Sequence, residues 1–165
     1  MSSSDRRQFL FLAAALPLAA CGFRPAYGTG GAARGLLEKV VVDEPTDRNA
    51  FDLVERLEER LGRTKAPTFA LGYRIDVSEA GLGITTDDTT TRYNITGSVS
   101  FVLKDVATGR ELSSGKVSTF TAYSATGTVV ATESARADAY RRLMRLLADQ
   151  IVTRLLATSA EWGAA

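Results

Sequence analysis

The feature that most constrains the fold of this chain is a strict alternation of side chains over residues 92–104. One set of alternate positions holds apolar or small residues, namely Tyr93, Ile95, Gly97, Val99, Phe101 and Leu103. The other set holds mainly polar residues, namely Arg92, Asn94, Thr96, Ser98, Ser100 and Lys104. A period of two is typical of a β-strand that buries one face. The segment therefore predicts a half-buried strand in a sheet with one apolar face.

Three further segments indicate strands of the same sheet. Residues 68–78 alternate in the same way, and residues 110–123 form a Ser/Thr-rich return strand after a turn at residues 105–109, which predicts a long hairpin. The short β-branched run at residues 36–42 predicts a first strand. Residues 79–90 are polar and contain two glycines and an acidic pair, so we expect a loop there.

Two amphipathic helices complete the pattern. Asn49 is a plausible N-cap for a helix that ends at Gly62, a residue suited to the position after a helix C-terminus. A second helix is predicted over residues 135–156, where apolar residues recur three and four positions apart. Its apolar stripe is Tyr140, Leu143, Met144, Leu147, Ile151 and Leu155.

The predicted element order is β-α-β-β-β-α. This order predicts an α+β fold: a two-layer sandwich with a four-stranded mixed sheet and both helices on one face. The opposite face would carry small hydroxylated residues and a few cations. Such a face is usually solvated, but it also suits contact with the polar interior of another protein.

The N-terminus is typical of an export signal. Arg6 and Arg7 precede a short apolar run that ends at Ala20, and the run is too short to span a membrane. The last four residues, Leu-Ala-Ala-Cys, resemble the bacterial lipobox, so we expect cleavage before Cys21, which would carry diacylglycerol and an N-acyl lipid. The arginine pair resembles a twin-arginine signal, and export by that route or by the general secretory route stays open.

These signals divide the chain into four parts. Residues 1–20 are the predicted signal peptide, residues 21–35 a lipidated N-terminus with a flexible Gly- and Ala-rich tether, residues 36–158 the α+β domain, and residues 159–165 a tail. The whole chain has 20 Lys+Arg and 19 Asp+Glu. Because the signal peptide removes two arginines and one aspartate, the remainder is balanced, which argues against nucleic-acid binding.

The composition also argues against an enzyme. The chain has no histidine and one cysteine, Cys21. A lipidated Cys21 leaves no thiol for catalysis, a metal or a disulfide, and the absence of histidine excludes a Ser-His-Asp triad and His-ligated zinc. The serines of the predicted strands have no nucleophile-elbow motif around them. We therefore expect a protein that has no catalytic residues, cofactor or metal.

Several segments together resemble one family. The expected mature N-terminus reads Cys-Gly-Phe-Arg-Pro-Ala-Tyr-Gly from Cys21, and residues 93–97, 99–105, 131–139 and 147–155 continue the likeness. This combination is similar to the lipopolysaccharide-assembly lipoproteins of the LptE family, in the form found in alphaproteobacteria. The resemblance implies a two-layer domain that sits as a plug inside the outer-membrane β-barrel LptD and takes part in lipopolysaccharide transport to the outer leaflet.

The resemblance also implies a location and a ligand. Position 22 is Gly and not Asp, and by resemblance to lipoprotein sorting in two-membrane bacteria Gly22 would not hold the protein at the inner membrane, so we expect it at the periplasmic face of the outer membrane. Lipopolysaccharide carries phosphates that cations would bind. Cations on or beside the outward face of the long strands are the candidates: Arg74, Arg92, Lys104 and Lys116.

Two other functions remain open from the sequence. A free-standing periplasmic lipoprotein would bind a small amphiphile or envelope component in an apolar pocket of its own. An envelope hydrolase would need a Ser/Lys or carboxylate site. The sequence does not say which sheet face would contact a barrel, or whether the domain is stable without a partner.

Overall fold

A computed structural model describes residues 33–84 and 90–162. They form one four-stranded sheet covered on one face by two helices. The elements are a single helical turn Ala33–Leu36, β1 Val40–Val42, α1 Arg48–Leu61, β2 Phe69–Ile84, β3 Thr90–Asp105, β4 Glu111–Ser124 and α2 Val129–Trp162. The predicted α+β class and the order β-α-β-β-β-α are confirmed.

Several predictions concern segments outside the described residues. These are the signal peptide, Cys21, most of the tether, the acidic pair near residue 88 and the last three residues of the tail. Within residues 33–84 and 90–162, no helix is both long enough and apolar enough to cross a membrane.

The sheet is mixed, as predicted, with strand order β1-β2-β3-β4. β1 is parallel to β2, and the other neighbours are antiparallel. Ile75 lies opposite Val99, which lies opposite Val117. Because side chains alternate along a strand, this register places the odd-numbered residues of the three long strands on one face.

The odd-numbered face forms the core under the helices. Ile95, Val99 and Leu103 of β3 are fully buried. The helices cover them with a larger set of buried side chains: Leu53, Leu57 and Leu61 from α1, and Leu143, Met144, Leu147, Ile151 and Leu155 from α2. The apolar residues whose helical spacing predicted α2 are therefore the residues that face the core.

Gly97 allows α2 to lie directly on the central strand. A Cβ atom at this position would come within 2.9 Å of Leu143 Cδ2 and 3.1 Å of Leu147 Cδ1. Real Cβ atoms do not approach other atoms so closely, so a larger residue would push the helix away. The glycine in the predicted strand therefore marks the point of closest helix–sheet approach.

Helix α2 also holds the outer edge of β4. Arg142 donates to the carbonyl oxygen of Ala122 and Arg154 to that of Lys116, both at 3.3 Å. The buried Thr121 hydroxyl donates to the carbonyl oxygen of Ala139 at 3.0 Å. Side chains that occupy edge carbonyls reduce the capacity of an edge strand to pair with another chain.

The domain has two ends, which we call near and far. The near end holds the helical turn, β1, the turn at residues 105–110 and Trp162, whose ring packs edge-on against Phe69. The far end holds the last residues of β2 and β4 and the start of α2. β2 and β3 each have 16 residues, which at about 3.3 Å per residue makes the sheet roughly 50 Å long.

The structure corrects the start of the first helix and the first strand. Helix α1 begins at Arg48 with Asp47 as its N-cap, because the Asp47 carboxylate accepts from the Ala50 amide at 2.8 Å; Asn49 is already helical. Gly62 ends the helix, as predicted, with φ of 80°. The first strand is only Val40–Val42, because a helical turn and Glu38, with φ of 58°, precede it.

The structure also lengthens two elements. β2 continues to Ile84, so the first part of the predicted loop at residues 79–90 is strand, paired with the start of β3. Helix α2 runs from Val129 to Trp162 and not over residues 135–156, and the predicted tail from residue 159 begins as helix. Trp162 extends the helix because it packs on Phe69 and donates to Thr158 Oγ1 at 3.2 Å.

We expect Leu147→Asp to unfold the domain, because it places a charge in the centre of the core, where Leu147 is fully buried. The expected loss is at least about 3 kcal/mol of unfolding free energy. Urea denaturation followed by circular dichroism measures it. Leu146→Asp is the matched control, since Leu146 is 45% exposed, and it should change the free energy by less than about 1 kcal/mol. Equal effects at both positions would contradict the packing of α2.

Candidate interaction surface

The sheet face opposite the helices is uncovered. We call it the open sheet face and define it by Val41 and by the even-numbered residues of three ranges: 70–82 in β2, 92–104 in β3 and 114–124 in β4. Cross-strand rows describe it from the near end to the far end: Gly72–Val102–Ser114, Arg74–Ser100–Lys116, Asp76–Ser98–Ser118, Ser78–Thr96–Phe120, Ala80–Asn94–Ala122 and Leu82–Arg92–Ser124. Most of these side chains are small or hydroxylated, as the sequence predicted.

Phe120 and Leu82 are the most exposed apolar side chains on this polar surface. Phe120 is 67% exposed and Leu82 is 50% exposed. The sequence analysis did not single out either residue. The exposure of Phe120 could have been predicted from the sequence, because it occupies a polar-face position between Ser118 and Ala122 in an alternating strand. An aromatic ring at such a position is a candidate contact residue for a partner.

The four candidate cations all lie on the open sheet face, and the structure brings three of them together. Arg74 and Lys104 line one cavity of about 390 Å³. Lys116 lies in the same cross-strand row as Arg74, separated from it by Ser100. Arg92 lies near the far end, roughly 40 Å from Lys104 at about 3.3 Å per residue along β3.

Small residues, two cations and one carboxylate, that of Asp43, line this cavity. Ala70, Gly72 and Ser100 contribute to its wall, and a Cβ atom at Gly72 would come within 3.2 Å of an Asp43 carboxylate oxygen. Among the described residues, neither Arg74 nor Lys104 forms an ion pair. The cavity can therefore accept an anion without breaking an existing salt bridge.

A second polar cluster lies on the helix side of the sheet, at Glu79. Arg136 donates to its carboxylate at 2.8 and 3.1 Å, and the hydroxyls of Tyr140, at 2.9 Å, and Tyr123 also donate to it. The Tyr123 ring stacks on Tyr93 with centroids 5.1 Å apart. This cluster ties the first part of α2 to three strands of the sheet.

Its electrostatics follow from these contacts. Burial alone would raise the pKa of Glu79, but the hydrogen bonds from Arg136, Tyr123 and Tyr140 outweigh it, and the net pKa is lowered. Burial and the bond to the carboxylate raise the pKa of Tyr140. Glu79 therefore stays ionised at neutral pH and acts as a fixed acceptor for three donors.

Sequence reasoning missed this cluster because it assigned Glu79 to a loop. The residue continues the odd-numbered series that begins at Phe69, which places it on the helix side of β2. A carboxylate on that side needs a cation. Its partner Arg136 is 57 positions away in sequence, so only the three-dimensional structure identifies the pair.

A larger cavity of about 540 Å³ lies between the start of α1 and the first half of α2. Its lining mixes both signs of charge, with Arg48, Arg141, Asp52 and Glu133 among its residues. Arg48 already pairs with Asp52 at 3.4 Å. Within the part of the chain that the structure describes, no group of His, Cys, Asp and Glu could hold a metal ion.

These features define a class of protein: an α+β domain with one packed and one open sheet face. Residues 37–155 match the LptE family model, described as lipopolysaccharide-assembly. The chain therefore belongs to the LptE family of non-catalytic outer-membrane lipoproteins, as the resemblance implied. The family has no known cofactor and is known to bind the lipopolysaccharide-transport machinery.

Solved structures of several lipoproteins have the same fold. A lipoprotein from Caulobacter crescentus is 22% identical with a TM-score of 0.64, and the match covers 83% of this chain and 100% of that one. The rare lipoprotein B from Shewanella oneidensis is 14% identical with a TM-score of 0.58, covering 74% and 96%. A minor lipoprotein from Acinetobacter baumannii is 17% identical with a TM-score of 0.53, covering 74% and 90%. No curated protein sequence matches the chain significantly.

We expect Glu79→Gln to lower the unfolding free energy at pH 7 by about 1–2 kcal/mol, because it weakens charge-assisted hydrogen bonds. Because folding lowers the pKa of Glu79, its ionised carboxylate stabilises the fold at pH values above the unfolded-state pKa of about 4.3. This contribution is lost as the pH falls through the pKa of the folded state. Urea titrations at several pH values between 7 and 3 test this. The variant should lose less stability on acidification than the wild type.

The exposed Glu55, for which the described residues offer no ion pair, provides the matched control. Glu55→Gln should leave both the stability at pH 7 and its acid dependence unchanged within about 0.5 kcal/mol. If Glu79→Gln behaves in the same way, the cluster does not stabilise the fold.

Proposed function

We propose that this protein is anchored by a lipid on Cys21 to the periplasmic face of the outer membrane, where it plugs an LptD-type β-barrel and assists its assembly. In this role it takes part in lipopolysaccharide transport to the outer leaflet. Membership of the LptE family supports the general role in lipopolysaccharide assembly. The lipobox and the Gly- and Ala-rich segment after Cys21 support an anchored domain on a tether.

The observation that carries the proposal is the open sheet face. The lumen of a large outer-membrane barrel is polar, so a plug needs a surface of small hydrogen-bonding side chains. The rows centred on Ser98, Ser100 and Thr96 supply such a surface across three strands. Phe120, with most of its ring exposed, supplies an aromatic contact of the kind enriched in interfaces.

Lipopolysaccharide phosphates are the proposed ligand of the cations at the near half of this face. Arg74 and Lys104 share a cavity, and Lys116 lies in the same cross-strand row as Arg74, with Ser100 between them. The guanidinium group of Arg74 can bind a phosphate through two parallel hydrogen bonds. Arg92 lies too far along β3 to share a phosphate with the other three, so it is the least supported of the four candidates.

The alternative of a free-standing lipoprotein with its own apolar pocket has less support. The cavities of about 540 and 390 Å³ both present ionised side chains of both signs. A small amphiphile needs a mostly apolar lining. The geometry therefore favours a protein that acts through its open face.

We expect Ser98→Trp to abolish co-purification of the barrel, because a large ring at the centre of the open sheet face would keep the two surfaces apart. Affinity purification of the tagged protein from outer membranes in mild detergent, with quantitative mass spectrometry, measures the barrel recovered. Ala107→Trp is the matched control; Ala107 is exposed in the turn beyond the face. Undiminished recovery with Ser98→Trp would argue against contact through this face.

We expect the double variant Arg74→Glu, Lys104→Glu to weaken lipopolysaccharide binding by at least about tenfold, equivalent to about 1.4 kcal/mol. The control makes the same charge change at Arg141 and Arg145, exposed residues on α2, and should weaken binding by less than about threefold. Binding of labelled lipopolysaccharide to the purified variants tests this. Equal losses in both pairs would indicate a nonspecific charge effect and refute the cavity.

A further inference from the structure

The cavity of about 540 Å³ between the two helices has no part in the proposed function. We call it the interhelix cavity. On one side α1 supplies Arg48 and Asp52, and on the other α2 supplies Glu133, Ala137 and Arg141. Residues four positions apart lie on the same side of a helix, so one stripe of each helix forms one wall. The cavity therefore lies on the helix side of the sheet, away from the open sheet face.

The wall on α1 contains a buried carboxylate with few donors, that of Asp52. Its side chain is only 6% exposed, and among the described residues its one hydrogen bond comes from Arg48 Nε at a long 3.4 Å. A carboxylate can accept about four hydrogen bonds, and a buried charge is stabilised by each donor that it gains. Asp52 therefore offers acceptor capacity that a cationic group in the cavity could use.

The wall on α2 contains the complementary group, the guanidinium of Arg141. Arg141 is exposed and forms no ion pair among the described residues. Arg136 also lines the cavity, but it already donates to Glu79 at 2.8 Å. A guanidinium can bind a carboxylate through two parallel hydrogen bonds. The two walls thus present an acceptor for an ammonium group and a donor to a carboxylate.

Charge balance and length indicate the class of ligand. The wall has three arginines and two carboxylates, and the carboxylate of Glu79 behind Arg136 makes the balance even. An even balance fits a ligand that carries both charges better than one with a net charge. Glu133 and Arg141 are eight positions apart, about 12 Å along the helix, and an extended tripeptide spans roughly 10 Å. Ala137 between them adds little bulk to the wall.

From these contacts we propose that the interhelix cavity binds a short zwitterionic peptide, whose ammonium group donates to Asp52 and whose terminal carboxylate accepts from Arg141. The ligand differs from the one proposed for Arg74 and Lys104, since it carries both charges and lies on the other side of the sheet. The inference goes beyond the proposed function and does not depend on it.

Titration of the full-length lipidated protein in a neutral detergent with trialanine tests the ligand class. Isothermal titration calorimetry should give a dissociation constant below about 1 mM, the range expected for a ligand of this size. Trialanine amide lacks the carboxylate and N-acetyl-trialanine lacks the ammonium group, and each should bind at least about tenfold more weakly. Equal binding of either modified peptide, or no binding of trialanine at about 10 mM, would overturn the proposal.

Variants of α2 test whether the peptide lies in the interhelix cavity. Ala137→Leu fills the space between the walls and should weaken trialanine binding at least about tenfold; because Ala137 is exposed, the fold should be kept, which circular dichroism checks. Ala157→Leu, at another exposed position of α2, is the matched control and should bind normally.

The two charged groups are tested in the same assay. Asp52→Asn and Arg141→Gln should each weaken binding about tenfold, whereas Arg145→Gln, an exposed cation outside the cavity wall, should not. If Asp52→Asn does not fold, Arg141→Gln and Ala137→Leu decide the question. Undiminished binding in Ala137→Leu, or equal losses in Arg141→Gln and Arg145→Gln, would overturn the site.

Discussion

The contact between α2 and the central strand at Gly97 is the constraint on which the rest of the structure depends. Leu143 and Leu147 lie where a side chain at position 97 would be, so the helix rests directly on β3. Because α2 takes this position and α1 packs beside it, both helices lie on one face of the sheet. The other face is left without a covering layer, and the proposed contact surface is a consequence of this one-sided packing.

The helix side of the domain is tied together by more than apolar contacts. Asp149 of α2 accepts from Arg56 and Arg60 of α1, and Glu79 of β2 accepts from Arg136 of α2. These bonds hold the two helices to each other and to the sheet. The open sheet face has few comparable contacts, and its cations Arg74 and Lys104 have no ion-pair partner among the described residues. The polar groups on the helix side of the sheet therefore have more hydrogen-bond and ion-pair partners within the domain than those on the open sheet face.

Much of this architecture could be predicted from the spacing of apolar residues. Apolar residues recur at every second position in β3 and at every third or fourth position in α2, and in both elements these are the residues that become buried. The same alternation placed Arg74, Arg92, Lys104 and Lys116 outward, where the structure also has them. It could not show that three of them are close together, since that depends on register between strands.

Other features were missed for physical reasons. Polar residues at the end of β2 are indistinguishable from a loop in sequence, although they pair with the start of β3. The end of α2 depends on Trp162 packing against Phe69, a contact between residues far apart in the chain. The Glu79 cluster is of the same kind, because both of its tyrosines and its arginine come from distant segments.

The proposed function requires that a partner covers the open sheet face in the cell. The most direct test is the rate at which a membrane-impermeant maleimide labels Ser118→Cys, an exposed position on that face, in opened outer membranes and in the isolated protein. Ala107→Cys, in the turn, reports access of the reagent. If a partner covers the face, Ser118→Cys is labelled at least about tenfold more slowly in membranes, whereas Ala107→Cys is labelled equally in both. Equal labelling of Ser118→Cys in both states would contradict it.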